Sequence, residues 1–150
     1  MGFDLSGMNP NITRPQPELP PTAERTDKDW EKYWDWQDDN CGVYFRNNGW
    51  HWRPLWNFVS SVCENILTQK DIEGGSYNDG HKISKTKANR IASRLFKLIR
   101  KGDVKSYESE RRKHQDSLNS DDWAKSYPFS EENVREFANF CANSGGFEIW

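Results

Sequence analysis

Tyr44-Phe45-Arg46-Asn47-Asn48-Gly49-Trp50-His51-Trp52-Arg53-Pro54-Leu55-Trp56-Asn57-Phe58-Val59 sets the terms for the rest of the chain. Six aromatic side chains, two arginines and one histidine fall within these sixteen residues, around the turn signal Asn47-Asn48-Gly49. Asn and Gly tolerate positive φ, so that tripeptide reads as a tight turn. Before it, Val43 to Arg46 is short and apolar and reads as an extended piece. After it, Pro54 suits the first position of a helix. Leu55, Trp56, Val59, Val62, Cys63, Ile66 and Leu67 then recur at three- and four-residue spacing, which predicts a buried helix over Pro54 to Thr68.

The other elements are expected to pack around that helix. Thr26 can cap a helix over Asp27 to Trp36, with Trp30, Tyr33, Trp34 and Gln37 on one face and acids in the first turn. Asp71 to His81 is rich in Gly, Asn and Asp and reads as a loop. Ser84 caps a helix with Ala88, Ile91, Ala92, Leu95, Leu98 and Ile99 inward, stopped by Gly102 at C′. Its other face carries Lys87, Arg90, Arg94, Lys97 and Lys101. Asp103 can cap a charged surface helix through Leu118. Ser130 caps the last, flanked by the hydrophobic staple Phe129 and Val134. Phe147-Glu148-Ile149-Trp150 alternates and can add a short strand.

Five of the seven prolines lie between Asn9 and Pro21, each fixing φ and removing a donor. The expected architecture is therefore mainly α. A compact bundle of four to five helices with one or two short strands (26–150) follows an extended proline-rich N-terminal arm (1–25).

Composition limits function more than it defines it. The 150 residues suffice for one domain with a substantial core. The hydrophobic fraction of 34% and mean hydropathy of −1.04 are low, so the core must rest on a few large side chains, and the 21 aromatics supply them. A formal charge of −2 and a pI near 5.9 disfavour bulk nucleic acid as a partner. Cys41, Cys63 and Cys141 form no CxxC pair, which suggests reduced thiols and a cytoplasmic location rather than a disulfide or zinc framework. No run of about 18 apolar residues occurs, so no membrane partner is expected.

The runs Tyr44 to Asn48 and Trp52 to Trp56, the loop Asn78-Asp79-Gly80-His81, the segment Ala88 to Leu95 and the closing Phe137 to Trp150 together resemble an uncharacterised family of small phage-encoded proteins. The resemblance spans residues 43 to 150, and the Trp- and Asp-rich segment between Trp30 and Asn40 departs from it. It assigns no activity to any residue. What it implies is a viral accessory protein that acts by binding: a sponge for a host signal, a blocker of a host enzyme, or a part of the particle. Assembly into a homo-oligomer is compatible with that role.

Two segments offer ligand chemistry. Arg46, Asn47, Trp50, His51, Trp52 and Arg53 combine flat rings with guanidinium forks, which suits a base stacked on an indole with its phosphate held by arginine. Asn78, His81 and Lys82 precede a helix N-terminus, where exposed amides attract anions. The competing structural readings are that Trp50 and Trp52 are core with Arg53 packed on an indole, and that the loop is an ordinary helix entry. The cationic helix face likewise reads as a solvated side or as a surface for nucleic acid or an acidic partner. His51, His81 and His114 lie on separate elements, with no HExxH or GxSxG. The expected function is non-enzymatic binding of a nucleotide-like anionic ligand, with no cofactor and no metal. A module that binds a host protein or a virion component, and a small nucleotide hydrolase, are the alternatives.

Overall fold

Residues 2–7 read Gly-Phe-Asp-Leu-Ser-Gly, and a period of two sends Phe3 and Leu5 to one side, at 2% and 0% exposure. The computed structural model, which describes residues 1–150, makes this segment strand β1 (Gly2–Gly7), central in a four-stranded antiparallel sheet. Strand β2 (Tyr44–Asn48) pairs with one side of β1, Leu5 opposite Phe45. Strand β4 (Phe147–Ile149) pairs with the other, Leu5 opposite Ile149. β4 in turn carries edge strand β3 (His81–Ile83). The order is β2-β1-β4-β3.

This corrects the expected N-terminal arm and its boundary at residue 25. Two apolar residues among six are too few to announce a strand, yet partners from residues 44–48 and 147–149 bury them in the common core. Residues 8–21 have no regular secondary structure, and the part from Met8 to Arg14 is pinned to the domain. Asn11 N–H donates to the Asn143 carbonyl at 2.8 Å, Thr13 N–H to Asn40 Oδ1 at 2.7 Å, and the Trp36 indole to the Arg14 carbonyl at 2.8 Å.

Six helices complete the fold, one more than the expected upper count, and the protein is mainly α. Helix α1 (Asp27–Asp39) starts at Thr26 with a reciprocal capping box to Asp29. Its buried aromatic is Trp36, whereas Trp34 is 54% exposed, so the inward face is rotated from the one expected.

Helix α2 spans Gly49–Val62, not Pro54 to Thr68. The Asn48 side chain accepts the His51 N–H at 3.0 Å and caps the helix, so the Asn-Asn-Gly run is a strand-to-helix junction. Pro54 sits inside the helix at its sixth position, where it forfeits a single hydrogen bond near the end. At the other end the Ile66 and Leu67 amides both turn back to the Cys63 carbonyl at 2.9 Å. Cys63, Ile66 and Leu67 stay buried through that turn, so apolar spacing continues where the helix does not. Thr68 and Asp71 then form a second capping box on α3 (Gln69–Gly74), inside what read as a loop.

Helix α4 (Lys85–Arg100) is capped by Ser84 as expected. Gly102, at φ +80°, ends it and directly precedes α5 (Asp103–Asp116), so Asp103 is the first helical residue rather than the cap. Helix α6 (Glu131–Asn143) is capped by Ser130 as expected. The sheet, α2, α4 and α6 enclose one cluster of 24 buried residues, including Phe3, Phe45, Trp52, Trp56, Phe58, Phe137, Phe140 and Phe147. No helix is long and apolar enough to cross a membrane.

Candidate functional site

Side chains leave α2 in two directions, and the first is closed. The Trp52 and Trp56 rings stack with centroids 5.3 Å apart and planes at 14°, and Phe3 stacks on Trp52 at 5.5 Å. Both indoles donate into the α3 region, Trp52 to the Gly75 carbonyl at 2.8 Å and Trp56 to that of Ile72 at 2.9 Å. A Cβ on Gly75 would lie 2.0 Å from the Trp56 ring, so only glycine allows this approach.

The second direction is open. A cavity of about 430 Å³ lies between α2, α5 and the short 3-10 turn Trp123–Ser126. Buried Trp52, Pro54 and Trp56 contribute to its lining from α2, with the more exposed Arg53 and Asn57. Helix α5 supplies Tyr107, Arg111, His114 and Gln115, one side of the helix at three- and four-residue spacing, with Leu118 just beyond its end. Ser76, Trp123, Ala124 and Tyr127 complete the wall. The lining holds Arg53, Arg111 and His114 and no carboxylate, so no Asp or Glu offsets its basic side chains.

Hydrogen bonds brace that wall. Arg111 Nη2 and Gln115 Nε2 both donate to the Tyr127 carbonyl at 2.7 Å, and Asp122 caps the Ala124 amide at 2.9 Å. The Arg111 Nε–H is buried without an acceptor. Tyr127 carries an aromatic on either side, Trp123 at 5.2 Å edge-on and Trp50 at 4.8 Å. Trp123 and Trp50 are 70% and 50% exposed, and neither indole N–H has a protein acceptor.

The nine residues singled out in the sequence scatter. Trp52 and Arg53 line the cavity, Trp52 as a buried ring, and Trp50 borders it through Tyr127. His51 is exposed, its Nδ1 2.8 Å from Asn48 Oδ1. Asn47 exchanges amide hydrogen bonds with Asn133 at 3.1 and 2.8 Å. Arg46 lies 3.5 Å from Asp4. Asn78 donates to the Gly2 carbonyl at 3.2 Å, and Lys82 pairs with Glu148 at 3.7 Å. Of these nine, the cavity takes up only Trp52 and Arg53, and Trp52 is tied by its indole to Gly75.

His81 belongs instead to a fastening. Its Nε2 lies 3.0 Å from Asp71 Oδ1, while Lys87 Nζ pairs with Asp71 Oδ2. Burial alone would raise the Asp71 carboxyl. Hydrogen bonds from Lys87, the Thr68 amide, His81 and the Thr68 hydroxyl outweigh that and bring its pKa down to about 2. One carboxylate thus ties α3 to β3 and α4. On the far side of the sheet, burial and the hydrogen bond to Asp4 push the Tyr44 phenol up to about 12.

Burial pushes the Cys63 thiol up to about 11 and the Cys141 thiol well above its ordinary value, which makes both poor nucleophiles. No three His, Cys, Asp or Glu side chains converge as a metal site. Sequence reasoning missed Tyr107, Arg111, His114, Gln115, Trp123 and Tyr127. The helical spacing in α5 and two aromatics in a polar turn were the available signals. No family model, curated protein or solved structure matches the chain.

Proposed function

We propose that this protein binds a planar, anionic small molecule of nucleotide type in the cavity between α2, α5 and the Trp123–Tyr127 segment. The observation that carries the reading is the lining itself: about 430 Å³ walled by five aromatic rings, with two arginines, a histidine and no carboxylate. In this reading Trp123 or Tyr127 stacks on the base, and Arg53, free of any ion pair, takes the phosphate. Lining side chains send their hydrogen bonds to backbone carbonyls and none to one another, so no nucleophile is paired with a base there. That favours binding over turnover. Joined to the phage resemblance of residues 43 to 150, the reading becomes a cytoplasmic accessory protein that sequesters a host immune nucleotide signal.

A second reading, a module that docks on a host protein or virion component, draws on exposed indoles outside the cavity. Trp30 and Trp34 stack at 6.1 Å on the outer face of α1, and Trp34 is 54% exposed. Melting the protein against mono-, di- and cyclic nucleotides separates the two. A ligand at about 100 times its Kd adds about 2.7 kcal/mol to stability. That gain is expected in the wild type and is expected to vanish in Arg53→Ala and Trp123→Ala. No shift with any nucleotide rejects the ligand reading, and recovery of one stoichiometric protein partner then supports the second.

A further inference from the structure

Helix α4 carries Lys85, Lys87, Arg90, Arg94, Lys97 and Arg100 and no carboxylate. A helix at +6 in a chain at −2 leaves the other residues at −8. The acidic excess has its own pole in α1, where six acids meet two lysines. The low net charge that disfavours nucleic acid is thus an average over segments of opposite charge. Of the six cations only Lys87 forms an ion pair, with Asp71.

Arg90, Arg94 and Lys97 line one open groove of about 330 Å³, with Asn89, Ser93 and Ile66 as its other residues. Arg94 is already oriented there, donating to the Val62 carbonyl at 2.6 Å and to Asn65 Oδ1 at 3.3 Å. The three cations stand at i, i+4 and i+7, over about 10 Å of helix rise. Like charges at that spacing destabilise a helix, and no carboxylate in the groove offsets them.

We infer that this groove docks the phosphodiester backbone of duplex nucleic acid without reading its sequence. Each strand of a duplex presents a phosphate about every 3.4 Å of axis, so about 10 Å of helix faces about three phosphates of one strand, one for each cation, with release of their counterions. Asn89 and Ser93 add neutral donors of the kind that position a backbone. No aromatic ring lines the groove, so it lacks the stacking platform that the open bases of a single strand require. The groove shares no lining residue with the α2–α5 cavity, and the inference does not depend on the ligand proposed there.

The test is the fluorescence anisotropy of a labelled duplex of about 20 base pairs titrated with the full chain between about 50 and 200 mM salt. The expected plot of log affinity against log salt has a slope of about −3, from three phosphates at about −0.9 each. Arg90→Glu/Lys97→Glu is expected to weaken binding by at least about tenfold. Lys28→Glu/Lys32→Glu on α1, with the same change in charge, is expected to retain most of it. Melting curves of both variants establish that they fold. Four results each overturn the inference: no binding at about 50 mM salt; equal losses in the two variants; tighter binding to a single strand of the same length; or self-association of the free protein that Arg90→Glu/Lys97→Glu abolishes, which assigns the groove to a second copy.

Discussion

The two flanks of α2 come from one short sequence and treat their aromatic side chains in opposite ways. On the closed flank Trp52 and Trp56 are 1% and 2% exposed, stack on each other and donate both indole protons to carbonyls of the α3 region. On the open flank Arg53 lies exposed at the cavity, and Trp50 is half-exposed against Tyr127. A dense run of tryptophan is therefore not in itself a mark of binding. A ring with a satisfied N–H inside the core holds the fold, while an exposed ring with an unused donor is available to a partner.

The contrast is sharpest in mutational cost. Trp52→Ala on the closed flank is expected to lose about 3–5 kcal/mol, read by chemical denaturation, because it leaves a cavity and an unpaired carbonyl at Gly75. A loss near zero would mean that this flank is not sealed. Gly75→Ala forces a methyl into the Trp56 ring and is expected to cost about 1–3 kcal/mol.

Asp71, which fastens α3 beside the closed flank, adds a pH signature. Its folded pKa of about 2 lies below the unfolded value of 3.8, so its contribution is complete above about pH 4 and is lost as pH falls toward 2. That contribution is on the order of 2 kcal/mol. Unfolding measured along the acid limb should lose that slope in Asp71→Asn, and an unchanged slope would remove the fastening role. The smallest stability effects belong to the open flank. Arg53→Ala and Trp123→Ala are expected within about 0.5 kcal/mol of wild type, while ligand binding disappears.

What the sequence makes legible follows from range. Thr26, Ser84 and Ser130 as caps and Gly102 as a stop are local chemistry, and each is where its residue type predicts. The aromatic core follows from composition, since few other side chains were large enough. β1 was not legible, because Phe3 and Leu5 acquire meaning only from partners forty or more residues away. The helix at Pro54 failed for a different reason. Asn48 captured the cap one turn earlier, and the apolar spacing ran on through the Cys63 turn. Of the cavity lining, Trp52 and Arg53 were singled out within their own segment. Their neighbours on α5 and in the Trp123–Tyr127 turn were not, because a cavity belongs to the tertiary arrangement of three segments.

The central claim is that the exposed side chains Arg53 and Trp123, together with Tyr127, hold the ligand, while Trp52 and Trp56 line the cavity only as buried rings of the core. The indole N–H region of a ¹H–¹⁵N spectrum reports every tryptophan separately during titration with the nucleotide that most raises the melting temperature. The account predicts that the Trp123 resonance moves in step with occupancy while those of Trp30, Trp34 and Trp36 stay fixed. No movement of Trp123 with any nucleotide, or movement confined to the indoles of α1, would contradict it.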